Sequence, residues 1–274
     1  MSSPMDLGLG IGWRPELAGY ILAREDLGFV EVIADGMRPR DAMPASLRLL
    51  RDKGVKVIPH GVGLSLGSAQ RPEPSRLAHL AHLANLLDAP LVSEHVAFVR
   101  AGDVEAGHLL PTPRTHAMLD ILTENVAIAQ QALPVPLALE NPASLFEWPG
   151  AELTEPDFLG ELVRRTGCLL LLDLANLHVN AENHGFDPEE YLDRLPLDRL
   201  AYVHAAGGRE HDGLLHDTHG DPLWPAVDRL VLILAARTSI PGLLLERDDR
   251  FPRPEVLDRE LDRLKSAWSG ALQT

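Results

Sequence analysis

Short apolar runs that end in an ionisable residue recur through the chain: VKVIPH, APLVSEH, VPLALEN, LLLLDLAN, LAYVH and GLLLE. They deliver His60, His95, Glu140, Asp173, His204 and Glu246. Such a group at the tail of a buried strand is costly to desolvate unless it is paired or coordinated. A series of them, alternating with helical segments, describes strand tips that converge on one polar site. Imidazole and carboxylate without thiolate suit iron, manganese or zinc.

Further residues extend this set. In HDGLLHDTHG, Asp217 and His219 are separated by one residue. An extended loop would point both the same way, so that they grip one ion; a polar loop with local turns gives the same pattern. In LENP, Pro142 forces the chain out of the strand that Glu140 ends, and a carboxylate there can bridge two metals or pair with an arginine. Asn176, in the loop expected after Asp173, can offer an amide oxygen. Asp248 in LLERDD could act as a base near the metal or pair with Arg247 or Arg250. The glycines of HGVGLSLGS could cradle a phosphate, or let backbone pass close to a metal site. His178 reads as a residue behind the site or at the surface. His79, His82, His108, His116, His184, His211 and His216 read as solvated or locally bonded.

The elements that must position these groups are legible as alternation. Strands are expected over Leu7–Trp13, Phe29–Ala34, Val55–His60, Leu91–Phe98, Val135–Glu140, Cys168–Leu174, Leu200–His204 and Gly242–Glu246. Several are nearly continuous in Leu, Val and Ile, as parallel strands buried on both faces are. Helical patterns lie between them, over Arg14–Asp26, Asp41–Lys53, Ser75–Leu87, Pro113–Leu133 and Phe158–Thr166, after Asp187, and through Leu257, Leu261, Leu264 and Trp268. Thr154 with Asp157 resembles a capping box. Strand–helix alternation predicts a TIM (β/α)8 barrel, one domain over residues 1–274, with its site at the C-terminal ends of the strands. A doubly wound sheet would bind mainly at one switch point and leaves the other polar tips unexplained.

Composition narrows the partners. The chain has 274 residues, 45% apolar and 24% charged, as a soluble globular protein does. A net charge of −15 argues against nucleic acid, which needs positive potential. Cys168 is the only cysteine, which excludes an internal disulfide and a thiolate cage. The N-terminus shows no signal-peptide pattern and no run reaches membrane-span length, so a cytoplasmic location is expected.

The motifs HGVGLSLG, SEHVAF, LENP, LLDLANLHVN, VHAAGG, DTHG and LLERDD follow one another as in the multinuclear non-heme iron-dependent oxidative enzymes, and from about Gly8 to Asp248 the chain resembles that family. The resemblance implies a barrel holding two or three iron ions, with a mixed-valence Fe2+/Fe3+ pair and O2 as co-substrate. His60, His95 and Glu140 would form one position. Glu140 would bridge to a second, completed by Asp173, His204 and Glu246. Asn176, Asp217 and His219 would hold a third. It further implies oxidation of a ribosomally made precursor peptide at Cys, or in some members at Asp or Asn, with a small leader-recognition partner. Where many relatives carry a second Asn and a Tyr, Ala175 and His178 stand here. Two alternatives remain open from the residues alone: a divalent-metal barrel such as a sugar isomerase or AP-endonuclease-like phosphoesterase, and a non-catalytic metal- or peptide-binding protein. An isomerase commonly wants a Lys near its metal, and Lys53, Lys56 and Lys265 fall outside the strand tips.

Overall fold

The computed structural model describes residues 5–38, 42–102 and 104–270. Its parallel strands β1 (Gly8–Gly12), β2 (Leu27–Ile33), β3 (Lys56–His60), β4 (Val92–His95), β5 (Leu137–Glu140), β6 (Leu169–Asp173), β7 (Leu200–Ala205) and β8 (Gly242–Leu245) pair in chain order. β8 pairs back to β1 and closes the barrel. The expected TIM barrel is therefore observed.

Helices α1 (Ala18–Ala23), α2 (Ala45–Asp52), α3 (Pro74–Leu87), α4 (His116–Ala132), α5 (Glu155–Thr166), α6 (Leu174–His184), α7 (Pro188–Arg194), α8 (Pro225–Arg237) and α9 (Pro254–Gly270) lie between and after the strands. Three expectations shift. Arg14–Asp26 is a 3-10 turn over Pro15–Leu17 followed by the short α1. The strand expected over Leu91–Phe98 stops at His95, and Ala97–Ala101 pairs instead with Val104–Pro111 in an antiparallel hairpin. Thr154 does stand at the N-cap of α5, but its side chain makes no capping bond. The expected start of the second helix at Asp41 lies outside the described residues, while Asp187 caps α7 through the Glu189 amide.

Strand periodicity explains how the barrel presents chemistry. Side chains alternate between faces. Val30, Val57, Val92, Leu139, Leu170, Leu172, Val203 and Leu243 pack outward against the helices. The other face closes on itself: Phe29, Ile58, Ala138, Leu171, Tyr202 and Leu244 form a separate buried cluster, the plug of the barrel. Two residues further along each of those strands stand Glu31, His60, Glu140, Asp173, His204 and Glu246. The polar tips are thus the next inward layer above an apolar plug. β1 contributes glycine instead. A Cβ on Gly10 would lie 2.4 Å from the Phe29 ring, so a side chain there would displace the plug.

Below Glu246, α9 is tied to the barrel by a buried ion pair. Arg247 is 2% exposed and Glu260 3%. The guanidinium donates to both Glu260 oxygens, and Glu260 also accepts the Leu223 amide at 3.0 Å. Removing one partner of such a pair strands a buried charge. Glu260→Leu is therefore expected to lower stability by about 3–5 kcal/mol in urea denaturation. A change within about 0.5 kcal/mol would show that the pair does not anchor the helix.

Candidate metal centre

The inward layer brings the strand-tip residues within contact of one another. Glu140 is at its middle. Its Oε2 lies 3.4 Å from His60 Nε2 and 3.4 Å from His95 Nε2, while its Oε1 lies 3.5 Å from His204 Nδ1. His204 Nδ1 is also 3.0 Å from Glu246 and 3.7 Å from Asp173. The trios His60–His95–Glu140, Glu140–Asp173–His204 and Asp173–His219–Glu246 each could hold a metal ion. Glu140 belongs to two of them, facing one with each oxygen.

Asp217 and His219 come in from the loop after β7. His219 Nε2 lies 2.6 Å from Asp217 Oδ1 and 4.0 Å from Asp173 Oδ2. The loop is not extended as expected, because His219 has φ +47°. The left-handed turn, rather than alternation, brings the two side chains together. Asn176 is also placed differently. The segment LANLHVN is no loop but the start of α6; Asp173 caps that helix by accepting the Asn176 amide at 2.7 Å. Asp248 takes neither arginine foreseen. It pairs with Arg14 and stands 3.4 Å from His219 Nδ1, whereas Arg250 pairs with Asp221.

The observation that separates this cluster from an ordinary salt-bridge network is its unpaired atoms. Glu140 Oε2, Asp173 Oδ2, Asn176 Oδ1, His204 Nδ1, Asp217 Oδ1, His219 Nε2 and Glu246 Oε2 are all buried, and none makes a well-aligned hydrogen bond among the described residues, although His219 faces Asp217 and His204 faces Glu246 at ion-pair distance. Buried polar atoms are normally satisfied. Unpaired acceptors converging at bonding separations fit cations held between them.

The opposite edge of each imidazole is tethered. His60 Nδ1 meets Ser93 Oγ at 2.8 Å, His95 Nδ1 meets the Gly61 carbonyl at 3.2 Å, and His204 Nε2 meets Glu31 Oε2 at 2.9 Å. Tyr202 donates its hydroxyl toward Glu31 and lies 2.7 Å from Ser93 Oγ. These bonds fix ring orientation, so that His60 Nε2, His95 Nε2 and His204 Nδ1 all face Glu140. Sequence reading missed Glu31, Ser93 and Tyr202. The signal for Glu31 was present: a charge inside the apolar run FVEVIA, two residues after Phe29.

The glycine segment after β3 is not a phosphate cradle. Its amides are taken by protein acceptors: Gly61 donates to the Ser93 carbonyl, Val62 to Asp35 and Leu64 to Glu94. A Cβ at Gly61 would lie 2.7 Å from Glu94 Oε2, so glycine serves close passage. His108, which is exposed, and His216, which is half-buried, are solvated as expected and also line the cavity of about 240 Å3 above the centre, with His60, His95 and His219. His178 stays behind the site, edge-on to Trp224 at 5.2 Å. His184 is locally bonded, its Nε2–H donating to the Ser144 carbonyl at 2.9 Å.

Electrostatics follow from burial of opposite charges together. Burial works against charge on His95, yet Glu140 and Glu94 hold it up at about 9. His204 and His219 are also raised, by Glu31, Glu246 and Glu140 in one case and Asp217 and Glu246 in the other, against desolvation. Glu140 is drawn down to about 2 by His95 and His204 despite its burial. Asp173 goes the other way. Burial, then Asp217 and Glu140, push it up to about 8.

A closed parallel barrel with clustered imidazoles and carboxylates at the strand C-termini belongs to the class of TIM-barrel proteins with a metal-competent centre. The chain belongs to the family of RiPP precursor modification enzymes MbnB/TglH/ChrH, whose profile matches residues 8–269. A UPF0276 protein of Streptomyces avermitilis is 53% identical over 97% of this chain, which spans 56% of that relative's length. One from Caulobacter vibrioides is 37% identical, covering 97% of this chain and 95% of the relative. Solved structures with the same fold include 3-keto-D-glucoside 4-epimerase from E. coli (TM-score 0.59, 12% identity, covering 97% and 99% of the two chains). D-psicose 3-epimerase from Clostridium cellulolyticum is another (TM-score 0.56, 13% identity, covering 97% of each).

Two outcomes follow. Below about pH 8 the metal-free protein keeps a proton on Asp173, and an entering cation must displace it. Affinity for Fe2+ or Mn2+ should therefore climb by at least about tenfold per pH unit between about 6 and 8, with proton release seen by calorimetry in buffers of different ionisation enthalpy. A flat profile would contradict this. Glu31→Gln should weaken metal binding by about tenfold while leaving circular dichroism unchanged. Unchanged affinity would show that the Glu31 contact does not orient His204.

Proposed function

We propose that the chain is an iron- and O2-dependent oxidoreductase that modifies a ribosomally made precursor peptide at a cysteine side chain. The observation that carries this reading is the set of unpaired, buried ligand atoms shared by overlapping trios, on a chain of the precursor-modifying family. Overlap suits a multinuclear centre, because a carboxylate with one oxygen toward each of two trios can serve two ions.

His60, His95 and Glu140 would hold one iron, and Glu140, Asp173, His204 and Glu246 a second. Asn176, Asp217 and His219 would hold a third, with Asp173 and Glu246 within reach of it. Bound iron in a mixed-valence state would supply the one-electron chemistry that lets O2 oxidise the carbon beside sulfur. The chain's own residues do the rest. Glu31, Ser93 and the Gly61 carbonyl fix the imidazoles. The hairpin His108 and the loop His216 line the cavity through which a substrate would approach. Asp248, held by Arg14 and partly exposed beside His219, would accept a proton at its carboxylate as the substrate enters. A separate small protein would recognise the peptide leader.

The isomerase alternative has a specific difficulty in the lysines. Lys53 donates to the Leu22 carbonyl, Lys56 to the Asp6 carbonyl and Lys265 to Asp26, all away from the centre. A non-catalytic metal-binding protein is separated from the present reading by O2 consumption.

The test begins with anaerobic Fe2+ loading. Two or three irons per chain are expected, with a coupled mixed-valence Mössbauer signal once limited O2 has oxidised one of them, and further O2 uptake should depend on a cysteine-containing precursor peptide. His204→Ala and Asp173→Ala should each lose bound iron and abolish peptide oxidation, with the barrel still folded by circular dichroism. Full oxidation in either variant, or stoichiometric zinc that iron cannot replace, would overturn the assignment.

A further inference from the structure

A second cavity, of about 470 Å3, lies beside the metal centre. It opens between the loop after β5, the first turn of α5, and helices α6 and α7. Ser144 lines both this cavity and the one above the centre, so the two are separated by little more than the segment that leaves Glu140. Leu153, Phe158, Leu159 and Phe186 form apolar walls. Arg114, Glu155 and Tyr191 supply polar groups.

Two of those groups lack adequate partners. Tyr191 is 4% exposed, and its hydroxyl has no hydrogen-bond partner among the described residues. Leaving a buried hydroxyl unpaired is costly. Glu155 has one long hydrogen bond, from Asn180 Nδ2 at 3.5 Å. Burial holds its carboxyl up at about 7, more than Arg114 and Asn180 can offset. Arg114 is itself paired with Glu147. Around these, Glu152, Asp187 and Glu190 add carboxylates against Arg194, so the lining is acidic.

We propose that this cavity is a subsite for a Lys or Arg side chain of the peptide substrate. It rests on the peptide-modifying reading above. Such a side chain matches the cavity at both ends. Its methylene stem would lie along the apolar walls. Its head would donate to the Glu155 carboxylate and the Tyr191 hydroxyl oxygen, giving both a partner. A cation at that point favours ionised Glu155. A peptide with its reacting residue over the centre would reach the subsite past Ser144.

The probes are N-acetyl-lysine N-methylamide, its norleucine counterpart and n-butylammonium, titrated by NMR into the metal-loaded protein. The lysine probe should bind at least about tenfold more tightly than the norleucine one. Glu155→Gln should weaken it about tenfold and Tyr191→Phe about threefold, with metal content and Tm as in the wild type. Equal binding of the lysine and norleucine probes, or wild-type affinity in both variants, overturns the subsite. Butylammonium binding as tightly as the lysine probe overturns its peptide character and leaves a site for free amines. If discrimination is lost while peptide oxidation persists, the subsite fails and the function stands. If the lysine probe binds as expected while no peptide is oxidised, the peptide reading fails and a cation site remains.

Discussion

Burying many ionisable groups in one layer is the constraint on which this molecule depends. Glu31, His60, Glu140, Asp173, His204 and Glu246 each sit at or below 3% exposure. A charge in such surroundings is stable only when opposite charge or a bound cation lies next to it. Alternation along the strands creates the layer, because whatever stands two residues beyond the apolar plug must point into the barrel. The plug below keeps water out from one side. The loops and the hairpin line an open mouth on the other.

Several devices balance the layer without cancelling its unpaired atoms. Imidazoles and carboxylates are interleaved, which lifts His95, His204 and His219 and lowers Glu140 and Glu246. Asp173 is held up by its burial and then by Asp217 and Glu140, more than His219 and His204 offset. Arg14 faces Glu246 and Asp248 from the β1 side, where Gly10 and Gly12 bring no side chain that could bind metal. Rigidity comes from beneath and behind: the Tyr202–Glu31–Ser93 bonds under the rings, and the Arg247–Glu260 pair that locks α9 to the strand carrying Glu246.

The barrel was legible because its signals are local. An apolar run of buried-strand length ending in His, Asp or Glu needs no long-range information to be read, and the inward layer follows from the same period of two. What escaped reading was of another kind. Glu31 sits mid-run, so a search of strand ends passes over it, although counting two on from Phe29 finds it. Asn176 was assigned to the right neighbourhood but the wrong element, since Asp173 serves at once as strand end and helix cap. The pairing of Asp248 with Arg14 spans most of the chain and is set by barrel closure between β8 and β1, which no local pattern reports. The turn at His219 depends on a left-handed residue that is not glycine, a conformation that sequence disfavours.

The glycines after β3 show how one motif admits two physical explanations and how structure chooses between them. A phosphate cradle needs amides that point into open space. Here the amides of Val62 and Leu64 already meet the carboxylates of Asp35 and Glu94, so an anion would have to displace one exposed and one buried charge of its own sign. Glu94 in turn accepts the His95 amide at 2.8 Å. The segment therefore works as a brace: close backbone passage lets Glu94 grip the loop and the base of His95 together, which holds that imidazole against Glu140. Small residues are required there by contact distance, and the chemistry they support belongs to the neighbouring strand tips.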